Sequence, residues 1–286
     1  MPDNLRLCVA QMTSTTHHAG NIAFVTEAAR HAAQTGCHLL ALPEVAGLMN
    51  RNPQEVRDLV SSEQADPFVT ACQALAQEQE HGLWIETGST PIAGPDGRFL
   101  NHGNLIDDQG AIRACYDKIH LFDVALDGQA PIGESKRYAP GGEAVLVDTP
   151  WGMWGLSICY DLRFPHLYRD YAKAGAGVVF IPSAFTVPTG QAHWEVLLRA
   201  RAIETGCFVI AAAQVGTHDD GRTTYGHSLV VDPWGRVLLD MGGQEAGFGV
   251  VDLDLGQVAR VRAQIPSLVN ERAYAIRHEK GPSSGP

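Results

Sequence analysis

The stretch Gly155-Leu156-Ser157-Ile158-Cys159-Tyr160-Asp161-Leu162-Arg163-Phe164-Pro165 sets the reading of the whole chain. Residues 153–159 are a short apolar run of strand character, and the chain then turns through Tyr160-Asp161 into a helix with Pro165 in its first turn, where a missing N–H costs nothing. A cysteine at such a strand-to-helix turn is presented outward. Backbone N–H groups and the positive end of the helix are then expected to lower its thiol from a reference of about 8.5, favouring the nucleophilic thiolate. The ordinary alternative for a lone cysteine is a buried, inert one.

The same grammar extends in both directions. Downstream come a helix near 165–174, a strand at 177–182, a helix at 191–205 and a strand at 207–214; upstream lies a strand at 144–148. The first half matches it, with a strand at 5–11, a helix at 21–34, an apolar run at 37–42, a helix at 67–79 and a strand at 83–89. Gly94-Pro95-Asp96-Gly97 then marks a tight turn into a strand at 99–107. The runs near 177 and 207 are apolar on both faces, as in a sheet covered by other layers, which gives an α/β class. Residues 225–232 and 237–240 flank Asp232-Pro233-Trp234-Gly235 and read as a hairpin. Two similar halves without a Pro- or Ser-rich linker predict one domain over 1–275 with internal pseudo-symmetry. Residues 276–286 end in Gly281-Pro282-Ser283-Ser284-Gly285-Pro286 and are expected to be a disordered tail.

Composition narrows the function classes. The 286 residues are 45% hydrophobic and 19% charged, enough for a large core. A formal charge of −11 without clustered Lys and Arg argues against nucleic acid and anionic membranes as partners, leaving a small soluble substrate. No basic leader precedes the first strand, and no run approaches the roughly 20 apolar residues of a membrane helix. The cysteines at 8, 37, 72, 115, 159 and 207 include no Cys-x-x-Cys pair, which fits reduced thiols and a cytoplasmic protein.

Two further residues stand out by position. Glu44 ends the apolar strand Leu39-Leu40-Ala41-Leu42-Pro43, where a carboxylate either faces solvent or performs a task that offsets partial burial. Lys118 lies in Cys115-Tyr116-Asp117-Lys118-Ile119-His120-Leu121-Phe122, where a surface lysine is the ordinary explanation. Taken together, Leu-Pro-Glu at 42–44, Tyr-Asp-Lys-Ile-His-Leu-Phe at 116–122 and Ile-Cys-Tyr-Asp-Leu-Arg-Phe-Pro at 158–165 resemble, in that order, the three signatures of the nitrilase superfamily of carbon-nitrogen hydrolases.

That resemblance covers residues 5–274 and implies a four-layer α-β-β-α sandwich of the nitrilase type. It also implies a Glu44, Lys118, Cys159 catalytic triad. Glu134 resembles an additional glutamate that supports the lysine or positions substrate, while Glu143 is the nearby alternative, read as a solvated turn residue. The backbone N–H of Tyr160 is expected to serve the oxyanion. Arg163 could grip a substrate carboxylate through a bidentate pair, or form an ordinary salt bridge. Phe185 is a substrate-binding candidate that could equally be core, as could Trp194; Arg199, Arg201 and Glu204 read as internal pairs on one helix. The implied reaction is hydrolysis of the terminal amide of a small carboxylated molecule, through a cysteine thioester with release of ammonia. Pro182-Ser183-Ala184-Phe185, residues 193–204 and Tyr225-Gly226-His227-Ser228 favour deaminated glutathione as that molecule, with α-ketoglutaramate or a similar 2-oxo acid amide as the ω-amidase alternative.

No cofactor is expected. His193 and His227 lack zinc-site spacing, and the Gly pairs at 141–142 and 242–243 lack a nucleotide-loop context, so no metal and no nucleotide are expected either. A non-catalytic binding or scaffold role is the competing class, and a true nitrilase is a further one. Members of the superfamily usually assemble through an outer helical layer, which implies a homodimer or a larger even homo-oligomer.

Overall fold

The computed structural model describes residues 3–78, 82–125 and 132–279. The end of the tail, 280–286, lies outside the described residues, as does the last residue of the helix expected at 67–79.

Each half repeats one pattern. In the first sheet Asn4–Gln11, Leu39–Ala41 and Trp84–Glu86 lie parallel, joined by the helices His18–Gln34 and Pro67–Glu78. Phe99–Ile106 pairs antiparallel with Trp84–Glu86, Thr90–Ala93 and Ile112–Asp117, so the Gly94–Gly97 turn does close a hairpin. In the second sheet Gly152–Leu156, Val178–Phe180 and Phe208–Ala211 lie parallel, joined by Pro165–Lys173 and Val187–Thr205, with antiparallel Val145–Thr149 on one side and Leu229–Val231 and Val237–Asp240 on the other. Parallel neighbours need a crossover, and helices supply it. Gly247–Asp254 then returns to the first sheet beside Asn4–Gln11, tying the chain's end to its beginning.

Strand alternation explains the layers. Leu5, Leu7, Val9, Leu39, Ala41 and Trp84 join one apolar cluster with Trp154, Leu156 and Phe180 of the second sheet. Their neighbours Cys8, Ala10, Leu40, Leu42 and Ile85 join another with Val25 and Ala28 of His18–Gln34 and Phe68 and Cys72 of Pro67–Glu78. Successive side chains point to opposite faces, so both faces of the first sheet are covered and the strands must be apolar throughout. Trp84 meets Trp154 edge-on across the sheets, ring centroids 6.2 Å apart. The order helix, sheet, sheet, helix is the expected four-layer sandwich.

Differences from the sequence reading have local causes. The helix expected at 191–205 begins at Val187, because Pro188 fits a first turn. The run 225–232 is broken, with Thr223–Tyr225 and Leu229–Val231 separated by Gly226 at φ +75° and His227 at φ +55°. Strand Met153 onward ends at Leu156, so Cys159 heads a 3₁₀ turn, Cys159–Arg163, and the helix proper starts only at Pro165.

Candidate active site

Three strand ends deliver three side chains to one cavity of about 250 Å³ lined by Glu44, Lys118, Glu134, Cys159 and Phe185 among others. Glu44 is set by a reversal of the chain just beyond Leu39–Ala41. Val45 adopts φ +53°, its N–H donates to Ser89 Oγ at 2.8 Å, and Gly88 at φ +64° packs so closely that a Cβ there would lie 1.9 Å from the Pro43 carbonyl oxygen. Glycine alone fits that approach. Lys118 follows Ile112–Asp117 and is pinned by its own backbone, its N–H donating to Asn101 O at 3.0 Å and its carbonyl accepting from Gly141 N at 2.9 Å.

Cys159 itself sits at φ +50°, a left-handed conformation uncommon outside glycine and a form of strain that clusters at functional sites. Asp161, fully buried, holds this turn. One carboxylate oxygen accepts from Ile158 N and Tyr116 Oη, both at 2.8 Å; the other accepts from the His120 backbone N–H at 3.0 Å and pairs with His120 Nδ1 at 2.6 Å. Asp161 therefore locks the cysteine turn onto the lysine segment, a tie that the sequence reading missed because its partners lie some 40 positions away.

Every oxygen of Glu44 is occupied. Oε1 accepts from Lys118 Nζ at 2.8 Å and Asn101 Nδ2 at 2.9 Å, and Oε2 accepts from Ala184 N at 2.9 Å. Lys118, 2% exposed, also donates to Glu134 Oε2 at 2.9 Å and Oε1 at 3.1 Å. Glu134 Oε2 takes a further hydrogen bond from Phe122 N at 2.6 Å. Burial works against the Lys118 ammonium, but Glu134 and then Glu44 outweigh it and hold its pKa well above the usual lysine value.

The Cys159 thiol contradicts one expectation. Burial, and after it the negative charge of Glu44, push its pKa well above the ordinary thiol value, against the opposing charge of Lys118 and a hydrogen bond from the Ala184 N–H. The five-residue turn supplies no helix end comparable with these effects, so the sulfur rests as a protonated thiol that faces Glu44.

The remaining candidates fall as follows. Arg163 lines the cavity, its guanidinium 5.8 Å from the Tyr160 ring centroid and 5.7 Å from that of Phe185, with Nη2 3.3 Å from His193 Nδ1. Among the described residues it has no carboxylate partner within 4.0 Å, so its ordinary salt bridge is absent there. Phe185 is both wall and core, 7% exposed and packed on Trp194 at 4.7 Å. Arg199 pairs with Glu195 and Arg201 with Glu204; Arg201 also donates twice to Leu162 O, bracing the cysteine turn. Glu143 is exposed and His227 pairs with Asp240. Among the described residues no three His, Cys, Asp or Glu side chains gather as metal ligands would. Arg51, Arg137 and Arg222, which the sequence reading passed over, line the same cavity.

A constellation of Glu, Lys and Cys around a protonated thiol fits hydrolysis of a carbon–nitrogen bond, and the comparisons agree. The family model described as carbon-nitrogen hydrolase matches residues 6–263. The chain belongs to that family, and the nitrilase-superfamily reading of its three motifs holds. It is 41% identical over 271 residues to the deaminated glutathione amidase of Homo sapiens, covering 93% of this chain and 82% of that one. Its fold resembles the crystal structure of the C. elegans NitFhit protein, with a TM-score of 0.88, 36% identity and coverage of 98% of this chain and 69% of that one. It also resembles an amidase from Nesterenkonia sp. AN1 in which acrylamide has added at the active-site cysteine, with a TM-score of 0.74, 28% identity and coverage of 92% and 98%.

Proposed function

We propose that Cys159 is the nucleophile of an amidase, with Glu44 its base and Lys118 its oxyanion cation, acting on deaminated glutathione. The observation that carries this reading is the buried thiol set against a carboxylate whose charge is held by a lysine. Glu44 takes the thiol proton as sulfur attacks the amide carbon, and the oxyanion forms against Lys118 and the Tyr160 N–H. The N–H of Cys159 is committed to Pro182 O at 2.9 Å, so the next amide in the turn takes that task. Glu44 returns the proton to the departing nitrogen, leaving a thioester. It then deprotonates a water that attacks the thioester, and the expelled sulfur regains a proton. Glu134 holds the Lys118 ammonium in place, and Arg163 and Phe185 bind substrate. Deaminated glutathione has only peptide-type amides, so an amine leaves; ammonia leaves when a primary ω-amide such as α-ketoglutaramate is the substrate.

The likeness to the human deaminated glutathione amidase supports this substrate. Cys159→Ala is expected to abolish amine release from deaminated glutathione while the far-UV circular dichroism stays native. Turnover within tenfold of the unaltered enzyme in a folded Cys159→Ala protein would refute the assignment.

The same reading extends to assembly and location. Residues 1–275 form one hydrolase domain followed by the tail 276–286. Val196 and Ile203 on Val187–Thr205 are 69% and 55% exposed, and Trp234 and Ile265, also exposed, line one recess with Ile203; these apolar side chains support burial in a homodimer or larger even oligomer. Light scattering at micromolar concentration checks it, and a monomer contradicts it. All six cysteines are free, which supports a reducing, cytoplasmic setting; among the described residues no helix is long and apolar enough to cross a membrane.

A further inference from the structure

The cavity is cationic out of proportion to the chain. In a protein of net charge −11, four arginines line one recess: Arg51, Arg137, Arg163 and Arg222. Arg163 stands over Tyr160 and Phe185, next to the nucleophile's turn. The other three form a separate wall. Arg137 donates to the carbonyls of Asn50 and Arg51 at 3.3 and 3.4 Å, tying its loop to theirs. Arg222 donates to Asp220 Oδ2 through Nε at 2.8 Å. Burial, and after it the charge of Arg222, depress the Arg51 guanidinium against the opposing charge of Asp220, so the two cations share one carboxylate.

Carboxylate partners are scarce on this wall. Among the described residues only Arg222 has an ion pair, with Asp220; Arg51 and Arg137 have none within 4.0 Å. Among the described residues the buried Arg137 Nε has no hydrogen-bond partner. A buried donor left unmade is costly, and like charges brought together are costly again, so a group that removes both costs is the missing partner. Tyr138, which lines the same cavity, feels Arg137 and Arg222 on one hand and Glu134 and Glu44 on the other, so the wall and the reacting groups border one space.

We infer that Arg51, Arg137 and Arg222 form a second anion-recognition wall, distinct from Arg163, which selects amides carrying a carboxylate on the leaving-amine side of the scissile bond in addition to the one on the acyl side. The substrate class is a dianionic amide. This rests on the amidase reading above and sharpens it, because deaminated glutathione carries two carboxylates and a 2-oxo acid ω-amide carries one. Guanidinium clamps a carboxylate through paired hydrogen bonds, and loss of one such charge-assisted contact is worth roughly 10- to 100-fold in affinity.

The experiment compares deaminated glutathione with its C-terminal carboxamide, which differs by one charge. kcat/KM is measured for both with the unaltered enzyme, Arg51→Gln, Arg137→Gln and Arg51→Lys. The unaltered enzyme is expected to prefer the dianion at least tenfold. The ratio should fall toward one in both Gln variants and recover in part in Arg51→Lys. No preference in the unaltered enzyme, or a preference that survives both Gln variants, overturns the wall while leaving the amidase reading intact. Should neither compound turn over, deaminated glutathione fails as the substrate. The wall is then decided by calorimetric binding of the same two compounds to Cys159→Ala with and without Arg137→Gln: a loss of dianion affinity specific to Arg137→Gln upholds it, and equal affinities refute it.

Discussion

Two glutamates reached by adjacent strands of the first sheet meet opposite fates. Glu44 lies just past Leu39–Ala41, and Glu86 ends the neighbouring strand, its Cα paired with that of Ala41. Both are buried, 5% and 4% exposed. Glu44 has a lysine, an asparagine and a backbone N–H on its two oxygens. Among the described residues the Glu86 carboxyl has one partner, the Gly88 N–H at 3.1 Å, and burial pushes its pKa up to about 8. The two carboxyls thus differ in whether a cation is buried with them, and Glu86, without one, holds its proton up to about 8.

Removing that cation is the harshest test of the contrast. Lys118→Met leaves Glu44 and Glu134 buried with no compensating charge, so each becomes a Glu86-like group or destabilises the fold. Turnover is expected to fall by more than about 1,000-fold, and stability by roughly 3–5 kcal/mol, the usual cost of breaking a buried pair from one side. Steady-state kinetics and urea unfolding measure the two; a variant as stable as the parent would show that the lysine does not hold the pair of carboxylates.

Glu86 tests the other side. In the unfolded chain its carboxyl ionises near the ordinary 4.5, and in the folded protein only near 8. Between those pH values the folded state keeps a proton that the unfolded state has released, so its contribution to stability is complete below about 4.5 and is lost as pH rises toward 8. At about 1.4 kcal/mol per pH unit the loss amounts to several kcal/mol. Glu86→Gln cannot ionise and keeps an oxygen for Gly88. Its stability advantage over the parent should grow from near zero at pH 4.5 to several kcal/mol at pH 8. Denaturation curves that stay parallel across this range would place Glu86 in the same class as Glu44.

The contrast also explains what the sequence could and could not disclose. Cys159 was legible from its strand-to-helix turn, whereas Glu44 and Lys118 were legible only because the three motifs stand together in order. The central strands were legible because both faces are covered, so every position is apolar. Gly247–Asp254, Gly256–Gln264 and Pro53–Leu59 escaped notice because each has an exposed face and a mixed pattern, although Asn52, whose side chain caps the last through Gln54 N and Glu55 N, is a start signal. The Cys159 thiol was read with the wrong sign because burial and then the charge of Glu44, far away in the chain, raise it, and neither shows in the local turn. The arginine wall was invisible for the same reason: residues 51, 137 and 222 meet only when the two halves close.

The mildest test asks whether charge, and not hydrogen bonding in general, separates the two glutamates. Asn101 Nδ2 donates to Glu44 Oε1 at 2.9 Å and to Glu134 Oε1 at 3.3 Å, while its own Oδ1 is buried without a partner. Asn101→Ala removes a neutral donor from the same oxygen that Lys118 touches, and deletes an unsatisfied acceptor at the same time. A hydrogen bond to a charged group is worth about 1.5–3 kcal/mol, and the vanished acceptor offsets part of it. Stability is therefore expected to change by less than about 2 kcal/mol, and kcat to fall by roughly tenfold. If Asn101→Ala cost as much activity as Lys118→Met, with Lys118 still in place, the ammonium would not be what keeps Glu44 in service, and the difference from Glu86 would have to be sought in the number of hydrogen bonds instead.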